Sequence, residues 1–518
     1  MEFSSSIYGA FAFFLLFYYY LLWSKPKTNK DKAPPEAGGA RPFTGHLHLM
    51  RGDSATQLPH IKLAALADKY GPIFTIRLGM RRAVVVSSTE LAKELFTTCD
   101  VAISYRPEVR AAKHLSHDFA TFGFAPYGAY WRQIRKLISV ELLSSRRVEL
   151  LSHVRVSEIS QSITELYKLW DEKKDASGKV LVDMKQWFGE LTLNVVLKMV
   201  AGKRFRGVDA EETRRCRKVF REFFHLAGVF VPADALPYLG WLDLGGYEKR
   251  MKEIAKELDG IVSGWLAEHR EKEYSGEDKL QDFMDVLLSS VRGSDFQVKY
   301  DNDTIIKSTC ETLISSSVDT TTIMLVWALS LLLNHPHILK KAQQELDDQV
   351  GKNRQVTESD LNNLPYLHAV VKEALRLYPA APLSGIRMFS EDATLGNYQI
   401  PKGTWVIVNL WKIQRDPHIY SENASEFIPE RFLETHQDLD VKGSNFEFFP
   451  FGAGRRICPG LNFGQEMLHF SLASLLQGFE FSTVADEPVD MTETFGMTNS
   501  KATPLDVLAA PRLAPVLY

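Results

Sequence analysis

Hydrophobic and polar positions divide the chain into three regimes. From Phe3 to Ser24 there is no charge, and Ile7 to Trp23 is an unbroken apolar and aromatic run. About 20 such residues cross the hydrocarbon core of a bilayer, so residues 1–24 are predicted to form a transmembrane anchor. Residues 25–42 are first basic (Lys25, Lys27, Lys30, Lys32) and then rich in proline and glycine (Ala33-Pro-Pro-Glu-Ala-Gly-Gly-Ala-Arg-Pro42), which predicts a semi-rigid hinge. Lysines follow the anchor while Glu2 precedes it, so the body should face the cytosol. A cleaved signal peptide would need a basic leading region and a small-residue cleavage site, and both are missing.

In the third regime, residues 43–518, helical spacing dominates, and the length allows a single large α-rich domain or two domains. Leu63 to Lys69 is predicted helical; Ile73–Leu78 alternates with period two and, with Ala83–Val86 after a Gly79-Met-Arg-Arg82 turn, predicts a hairpin. A helix should begin near Ser88-Thr89-Glu90, and residues 101–127 are irregular. From Ser157 to about Tyr300 several helices are expected, one marked by the stripe Ile254, Leu258, Ile261, Val262, Trp265, Leu266. Within it, Phe223 to Asp243 is apolar but broken by prolines. That pattern suits a loop touching a membrane or a substrate entry, and equally core packed under a loop.

Asp303 to Asn334 is the longest helical stretch, roughly 48 Å if fully helical. Its apolar run, Ile323 to Leu333, is too short to span a bilayer, so a buried core helix is predicted. Leu361 to Tyr378 reads as a helix stopped by Pro379, Tyr398 to Val408 as a strand hairpin turning at Pro401-Lys-Gly403, and the residues after Leu461 as a helix. The fold class is therefore mainly α with small β-sheets (α+β).

Composition narrows the function classes. The 518 residues carry a net charge of −3, which gives no support to nucleic-acid binding. The four cysteines (Cys99, Cys216, Cys310, Cys458) include no C-x-x-C pair, so neither a disulfide framework nor a zinc site is signalled.

Candidate chemistry concentrates at Phe451-Gly-Ala-Gly-Arg-Arg-Ile-Cys458-Pro-Gly460. Gly452, Gly454 and Gly460 permit sharp turning and close approach to a flat partner. Cys458 lies just before a predicted helix, whose unpaired N–H groups and dipole favour a thiolate, the form that ligates haem iron. A cysteine standing alone would more often be a small buried hydrophobe. Four other patterns accompany it. Trp131-x-x-x-Arg135 puts an aromatic platform and a cation on one helix face. Ser315-Ser-Ser-Val-Asp319-Thr320-Thr321 interrupts the long apolar helix with polar groups, which in isolation would bond back to their own helix. Thr309, Leu313, Ser316 and Thr320 share one face of it, with Ser317 and Met324 beside them. Glu373-x-x-Arg376 and Pro429-Glu430-Arg431-Phe432 complete the set. Glu311, about 180° around the helix from Thr320, is expected to pair locally with Lys307 rather than to meet a cationic substrate.

Phe451-x-x-Gly454-x-Arg456-x-Cys458-x-Gly460 resembles the haem-binding signature of the cytochrome P450 superfamily, and the other patterns follow in that family's order. The resemblance covers nearly the whole chain. It implies the cytochrome P450 fold behind an N-terminal anchor helix, with 43–518 as a haem-thiolate catalytic domain. Cys458 would be the axial ligand of haem b; Trp131, Arg135, Arg387, Phe451, Arg456 and Gly460 would hold the haem. Asp319 and Thr320 match the oxygen-activation motif as catalytic residues, although serines at 316 and 317 replace its two small residues. By the same resemblance His114, Leu115, Phe122, Phe124, Leu313, Ser316, Ser317, Leu383, Phe495 and Met497 are pocket candidates, and Glu373, Arg376 and Arg431 a structural core.

The implied activity is an NADPH- and dioxygen-dependent monooxygenase of the plant microsomal type, supplied with electrons by the flavoprotein NADPH–cytochrome P450 reductase. The chain would be a monomer, single-pass in the endoplasmic reticulum membrane, acting on a hydrophobic or cationic small molecule and on no nucleic acid. Likeness to plant alkaloid hydroxylases, nicotine demethylases and terpenoid oxidases in Lys69–Gly79, Gly240–Tyr247 and Asn409–Pro417 implies a specialised metabolite. The expected substrate is a benzylisoquinoline, protoberberine-type alkaloid. Alternatives are terpenoid or phenolic oxidation, N-demethylation, an oxygen-independent isomerase or dehydratase, and a non-catalytic haem protein.

Overall fold

Short polar side chains at helix starts set much of the architecture. In the computed structural model, Ser88, Ser144, Asp183 and Asp301 each accept a backbone N–H in the first turn of the helix that follows. The structure describes Gly9, residues 12–14, Phe17, and residues 32–52, 57–205, 211–243, 245–274, 281–292, 299–494 and 496–518. The predicted anchor, apart from five residues described as helical, and the first part of the hinge lie outside that range. From Pro35 the chain is laid on the body, where Ala37 N donates to Thr75 O (2.9 Å) and Thr75 N to Pro35 O (2.8 Å).

Twelve helices of eight or more residues are described. They are α1 Pro59–Tyr70, α2 Thr89–Thr97, α3 Ala129–Leu137, α4 Ser152–Lys173, α5 Met184–Ala201, α6 Glu211–Ala227, α7 Tyr247–Tyr274, α8 Phe283–Arg292, α9 Asn302–Asn334, α10 Pro336–Gln349, α11 Pro365–Leu377 and α12 Leu461–Gly478. The strands are β1 Ile73–Leu78, β2 Arg81–Val86, β3 Val180–Asp183, β4 Arg387–Met388, β5 Ala393–Leu395, β6 Tyr398–Ile400, β7 Trp405–Val408, β8 Phe479–Thr483, β9 Glu493–Thr494, β10 Ser500–Lys501 and β11 Asp506–Pro511.

α9 is the axis of the core. Its 33 residues begin at the Asp301 cap and end where Pro336 cannot continue the ladder. It is long and apolar enough to cross a membrane, yet α5, α6, α7, α8, α11 and α12 all pack on it and 21 of its residues are buried. Burial inside protein accounts for its hydropathy. Trp327 is fully buried, donates Nε1–H to Asn499 O (2.7 Å) and stacks on Tyr378 at 4.1 Å.

The main sheet has the order β1-β2-β7-β4; β1 and β2 form the predicted antiparallel hairpin, and β2 and β7 are parallel. Three expectations are corrected here. Tyr398–Val408 is not a hairpin, because β6 pairs with β5 while β7 crosses to β2 and β4. All four residues of β7, Trp405-Val-Ile-Val408, are buried, a pattern that an interior strand satisfies and a two-stranded ribbon does not. β3 lies inside the stretch expected to be helical and pairs with β11 in the sheet β3-β11-β8. Residues 101–127, expected irregular, include a helix at Arg110–Leu115.

Behind the Cys458 segment, Glu373 and Arg376 on α11 are both fully buried and joined by two bonds of 2.6 and 2.7 Å. Arg431 Nε lies 3.4 Å from the same carboxylate, and Ile428 N donates to it (3.0 Å). Arg376 also donates to the carbonyls of Gln414, Ala424 and Glu426, so one ion pair closes two loops. Removing one partner from such a pair leaves a buried charge unmatched, at a cost of about 3–5 kcal/mol. Glu373→Ala is therefore expected to lower the thermal unfolding midpoint sharply or abolish soluble expression, whereas Lys442→Ala, at an exposed pair, should leave the midpoint unchanged. Equal midpoints for the two variants, read by circular dichroism, would contradict this.

Candidate functional site around Cys458

The segment before α12 is shaped by two left-handed glycines, Gly452 (φ 77°) and Gly454 (φ 69°). A Cβ on Gly454 would overlap the Asp100 carboxylate, which accepts the Arg455 N–H (3.1 Å). Gly460 has an ordinary φ of −86°, so it needs no special conformation; a Cβ there would sit 3.9 Å from Cys458 Sγ, close to the face the sulfur presents. Cys458 N donates to Phe451 O (3.0 Å), closing the loop.

Burial pushes the Cys458 thiol up, with the Gly460 N–H and the Arg135 guanidinium pulling the other way. Desolvation thus outweighs the helix N-terminus that the sequence emphasises, and the chain alone favours the thiol. A bound cation would reverse this, since a coordinating thiol is deprotonated outright.

Four arginines with lowered pKa converge on this segment. Arg135 on α3 donates to Ile457 O (2.6 Å), and Trp131 on the same face donates Nε1–H to Phe122 O (3.1 Å). Arg456 lies over the Trp131 ring at 4.6 Å and donates to the carbonyls of Ser104 (2.7 Å) and Ala125 (2.6 Å). Arg387, aimed by the edge strand β4, donates to Ala453 O (2.9 Å) and lies over Phe96 at 4.7 Å. Arg106 donates to Ile386 O (2.6 Å).

Burial is the first cause of every shift. It takes Arg106 to about 10; it takes Arg387 to about 9 with repulsion from Arg106; and it takes Arg456 to about 8 with repulsion from Arg106, Arg387 and Arg135. Asp100 offsets Arg387 from 3.9 Å but is shared with Arg455. Arg106 Nε and Arg387 Nη1 are buried without a hydrogen-bond partner. Unmatched buried cations call for an anion, and orphaned N–H donors call for acceptors. Beside a cysteine on a close-approach loop, the arrangement fits haem, whose two carboxylates would supply both. Arg106 and Asp100 were missed in the sequence, where no local pattern marks them; Gly385 leaves room for Arg106, since a Cβ there would come 2.6 Å from its Nη1.

On α9, hydroxyl groups bond back to their own helix: Ser315 to Glu311 O (2.7 Å), Ser316 to Thr312 O (2.6 Å) and Thr320 to Ser316 O (2.7 Å). Each retains lone pairs to accept from another group. Asp319 is different. Burial raises its pKa, and Thr498 Oγ1 donates to its Oδ2 (2.7 Å), with Lys185 and Arg221 further lowering influences. Glu311 does not pair with Lys307. It accepts from His117 Nε2 (2.9 Å), while Lys307 reaches Asp259 on α7 (2.5 Å). The reason is a turn the sequence did not disclose: His117, Asp118 and Phe119 all have positive φ and fold the imidazole onto α9.

Among the pocket candidates, Leu115, Phe122 and Leu313 are buried in the main core cluster, and Phe124 is half-buried. His114 is turned to Glu248 on α7 (3.1 Å). Leu383 packs with Phe230 and Trp405 in a separate cluster, and Met497 is exposed. Ser316 and Ser317 are half-buried. Phe495 lies outside the described residues, and Phe451 is half-buried against the main cluster.

The family model described as Cytochrome P450 matches residues 34–505. The chain is 64% identical to the flavonoid-6-hydroxylase of Ocimum basilicum, over 100% of this chain and 99% of the relative. It is 61% identical to the flavonoid-6-hydroxylase of Mentha piperita and 60% identical to the strychnine-10-hydroxylase of Strychnos nux-vomica, each over 100% of both chains. Among solved structures, a zebra fish cytochrome P450 with progesterone superposes with a TM-score of 0.74 at 26% identity, over 88% of this chain and 99% of that one.

Glutamine in place of Arg387 or Arg456 removes a charge while keeping a donor. Haem retained per protein after gel filtration is expected to fall about tenfold or more, the scale of one hydrogen bond to a charged group. Retention equal to that of the unchanged protein would contradict the fit.

Proposed function

Because the chain belongs to the cytochrome P450 family, we propose that its Cys458 segment carries the haem and that it hydroxylates a flavonoid. The coarser statement needs no proposal: this is a plant haem-dependent monooxygenase of the kind that hydroxylates specialised metabolites, and its family takes electrons from a redox partner. The single observation behind the proposed haem site is the set of buried, under-matched arginines around Cys458. Arg135, Arg387, Arg456 and Arg106 would hold its carboxylates, Trp131 would support Arg456, and Cys458 would ligate the iron. Bound haem with a thiolate ligand supplies the one-electron and dioxygen chemistry.

The chain's own residues have the remaining tasks. Thr320 would present a hydroxyl whose lone pairs accept at the reacting face of α9, its hydrogen being held by Ser316 O, and Asp319, its pKa raised by burial, would hold and release a proton beside it. Leu115, Phe122 and Leu313 would exclude water. Glu373, Arg376 and Arg431 would keep the supporting loops rigid.

A neutral flavonoid is favoured because the acidic side chains of α9 are engaged. Asp303 pairs with Arg270, Glu311 with His117, and Asp319 with Thr498. A protonated alkaloid would need one of them. The 61–64% identity to two flavonoid-6-hydroxylases points the same way. The alkaloid reading, including the protoberberine type expected from the sequence, is the second. It is favoured by the 60% identity to strychnine-10-hydroxylase.

Relatives of this kind are typically bound to the endoplasmic reticulum membrane. Residues 1–24 would be the single-pass anchor and 25–42 the hinge, with the body in the cytosol as a monomer receiving electrons from NADPH–cytochrome P450 reductase. The exposed Trp241 and Leu242 would rest at the lipid surface.

Membranes containing the chain and the reductase, given NADPH, air and a panel of flavones, strychnine-type and protoberberine alkaloids, test the reading by mass spectrometry. A flavone product carrying one added oxygen atom, absent without NADPH, is expected. Product from alkaloids but not flavones would overturn the substrate, and product formed without NADPH would overturn the reaction.

A further inference from the structure

The turn of the β9–β10 hairpin reaches the middle of α9 at Thr498. Asn499 fixes the approach, its N–H on Ala380 O (2.9 Å) and its carbonyl on Trp327 Nε1 (2.7 Å). Lys185 at the start of α5 donates to Lys501 O (3.3 Å) on the far side. Between these ties sits Thr498, 8% exposed, with its Oγ1 2.7 Å from Asp319 Oδ2. The Trp327 and Lys185 bonds therefore hold the hydroxyl where it stands, and the hydroxyl holds the carboxylate.

We infer that Thr498 is a positioning residue for proton delivery: its single O–H occupies Asp319 Oδ2, fixes the carboxyl rotamer and leaves Oδ1 as the oxygen that exchanges protons. This rests on the reading of Asp319 as the proton-handling group. A threonine hydroxyl has one hydrogen, so donating it to the carboxylate stabilises the charged form and sets the orientation of the group. Ser316 and Thr320 cannot substitute, since each hydroxyl hydrogen is committed to a carbonyl of its own helix.

The balance of the reaction supplies the readout. Two electrons and two protons per dioxygen yield one hydroxylated product and one water when delivery succeeds. When it fails, the same two electrons and two protons leave with dioxygen as hydrogen peroxide. Thr498 thus controls how the electrons are partitioned, not whether they arrive.

The test uses the haem-loaded chain with its reductase and a turned-over flavone, comparing Thr498→Val, Thr498→Ala, Thr498→Ser and Asp319→Asn. Three quantities are read: peroxide formed per NADPH, the substrate dissociation constant from the optical shift, and the infrared band of the protonated Asp319 carboxyl against pH. Besides Thr498, Lys185 from α5 and Arg221 from α6 act on that carboxyl, and they are unchanged in every variant. Thr498→Val and Thr498→Ala should raise peroxide per NADPH about tenfold, the effect of losing one hydrogen bond to a carboxylate. The carboxyl midpoint should move up by about one pH unit, because a donor to the charged form is gone. The dissociation constant should stay within about twofold, since the hydroxyl hydrogen is spent on Asp319. Thr498→Ser should restore all three. Normal peroxide and an unmoved band in the Val and Ala variants, with Asp319→Asn still uncoupled, would overturn the role of Thr498 alone. Normal coupling in Asp319→Asn would overturn the reading of Asp319 on which it rests.

Discussion

Charge buried without enough counter-charge is the constraint around which this molecule is arranged. Arg106, Arg135, Arg387 and Arg456 come from four separate parts of the chain, and each is desolvated near the Cys458 loop. Asp100 cannot balance them, because it also serves Arg455. Such a cluster persists in a folded chain because backbone carbonyls of Ser104, Ala125, Ile386, Ala453 and Ile457 accept some of its hydrogen bonds. The donors left over define where an anionic partner belongs. With a thiol on a loop built for close approach beside them, a flat, carboxylate-bearing metal complex would satisfy both demands at once.

Several separate elements carry that cluster and brace it. The sheet carries Arg387 in on β4, α3 carries Arg135, and the Glu373–Arg376–Arg431 group locks the loops behind them. α9 is an apolar rod with one polar stretch, packed among α5, α6, α7, α8, α11 and α12.

Much of this was legible in the sequence because it is local. Gly454 before Cys458, the four-residue spacing of Trp131 and Arg135 and the three-residue spacing of Glu373 and Arg376 are all patterns within one turn or loop. What escaped is long-range. Nothing in Trp405–Val408 distinguishes a hairpin partner from an interior strand until β2 is placed beside it. Glu311 looked local to Lys307, but a left-handed turn 194 residues earlier brings His117 onto it. Arg106 sat in a segment without periodicity, so its burial left no trace in the pattern. At Cys458 the helix position is readable from sequence, whereas the desolvation that opposes it depends on what packs around the sulfur.

The central claim is that Cys458 sulfur bonds the iron of a haem held by the arginine cluster. The most direct measurement is the difference spectrum of the reduced, carbon monoxide-treated protein, for the unchanged chain and for Cys458→Ser. A thiolate-type Soret band in the unchanged protein, lost on substitution while haem is still bound, is the predicted result. A band of that type surviving in Cys458→Ser, or missing from the unchanged haem-loaded protein, would contradict it.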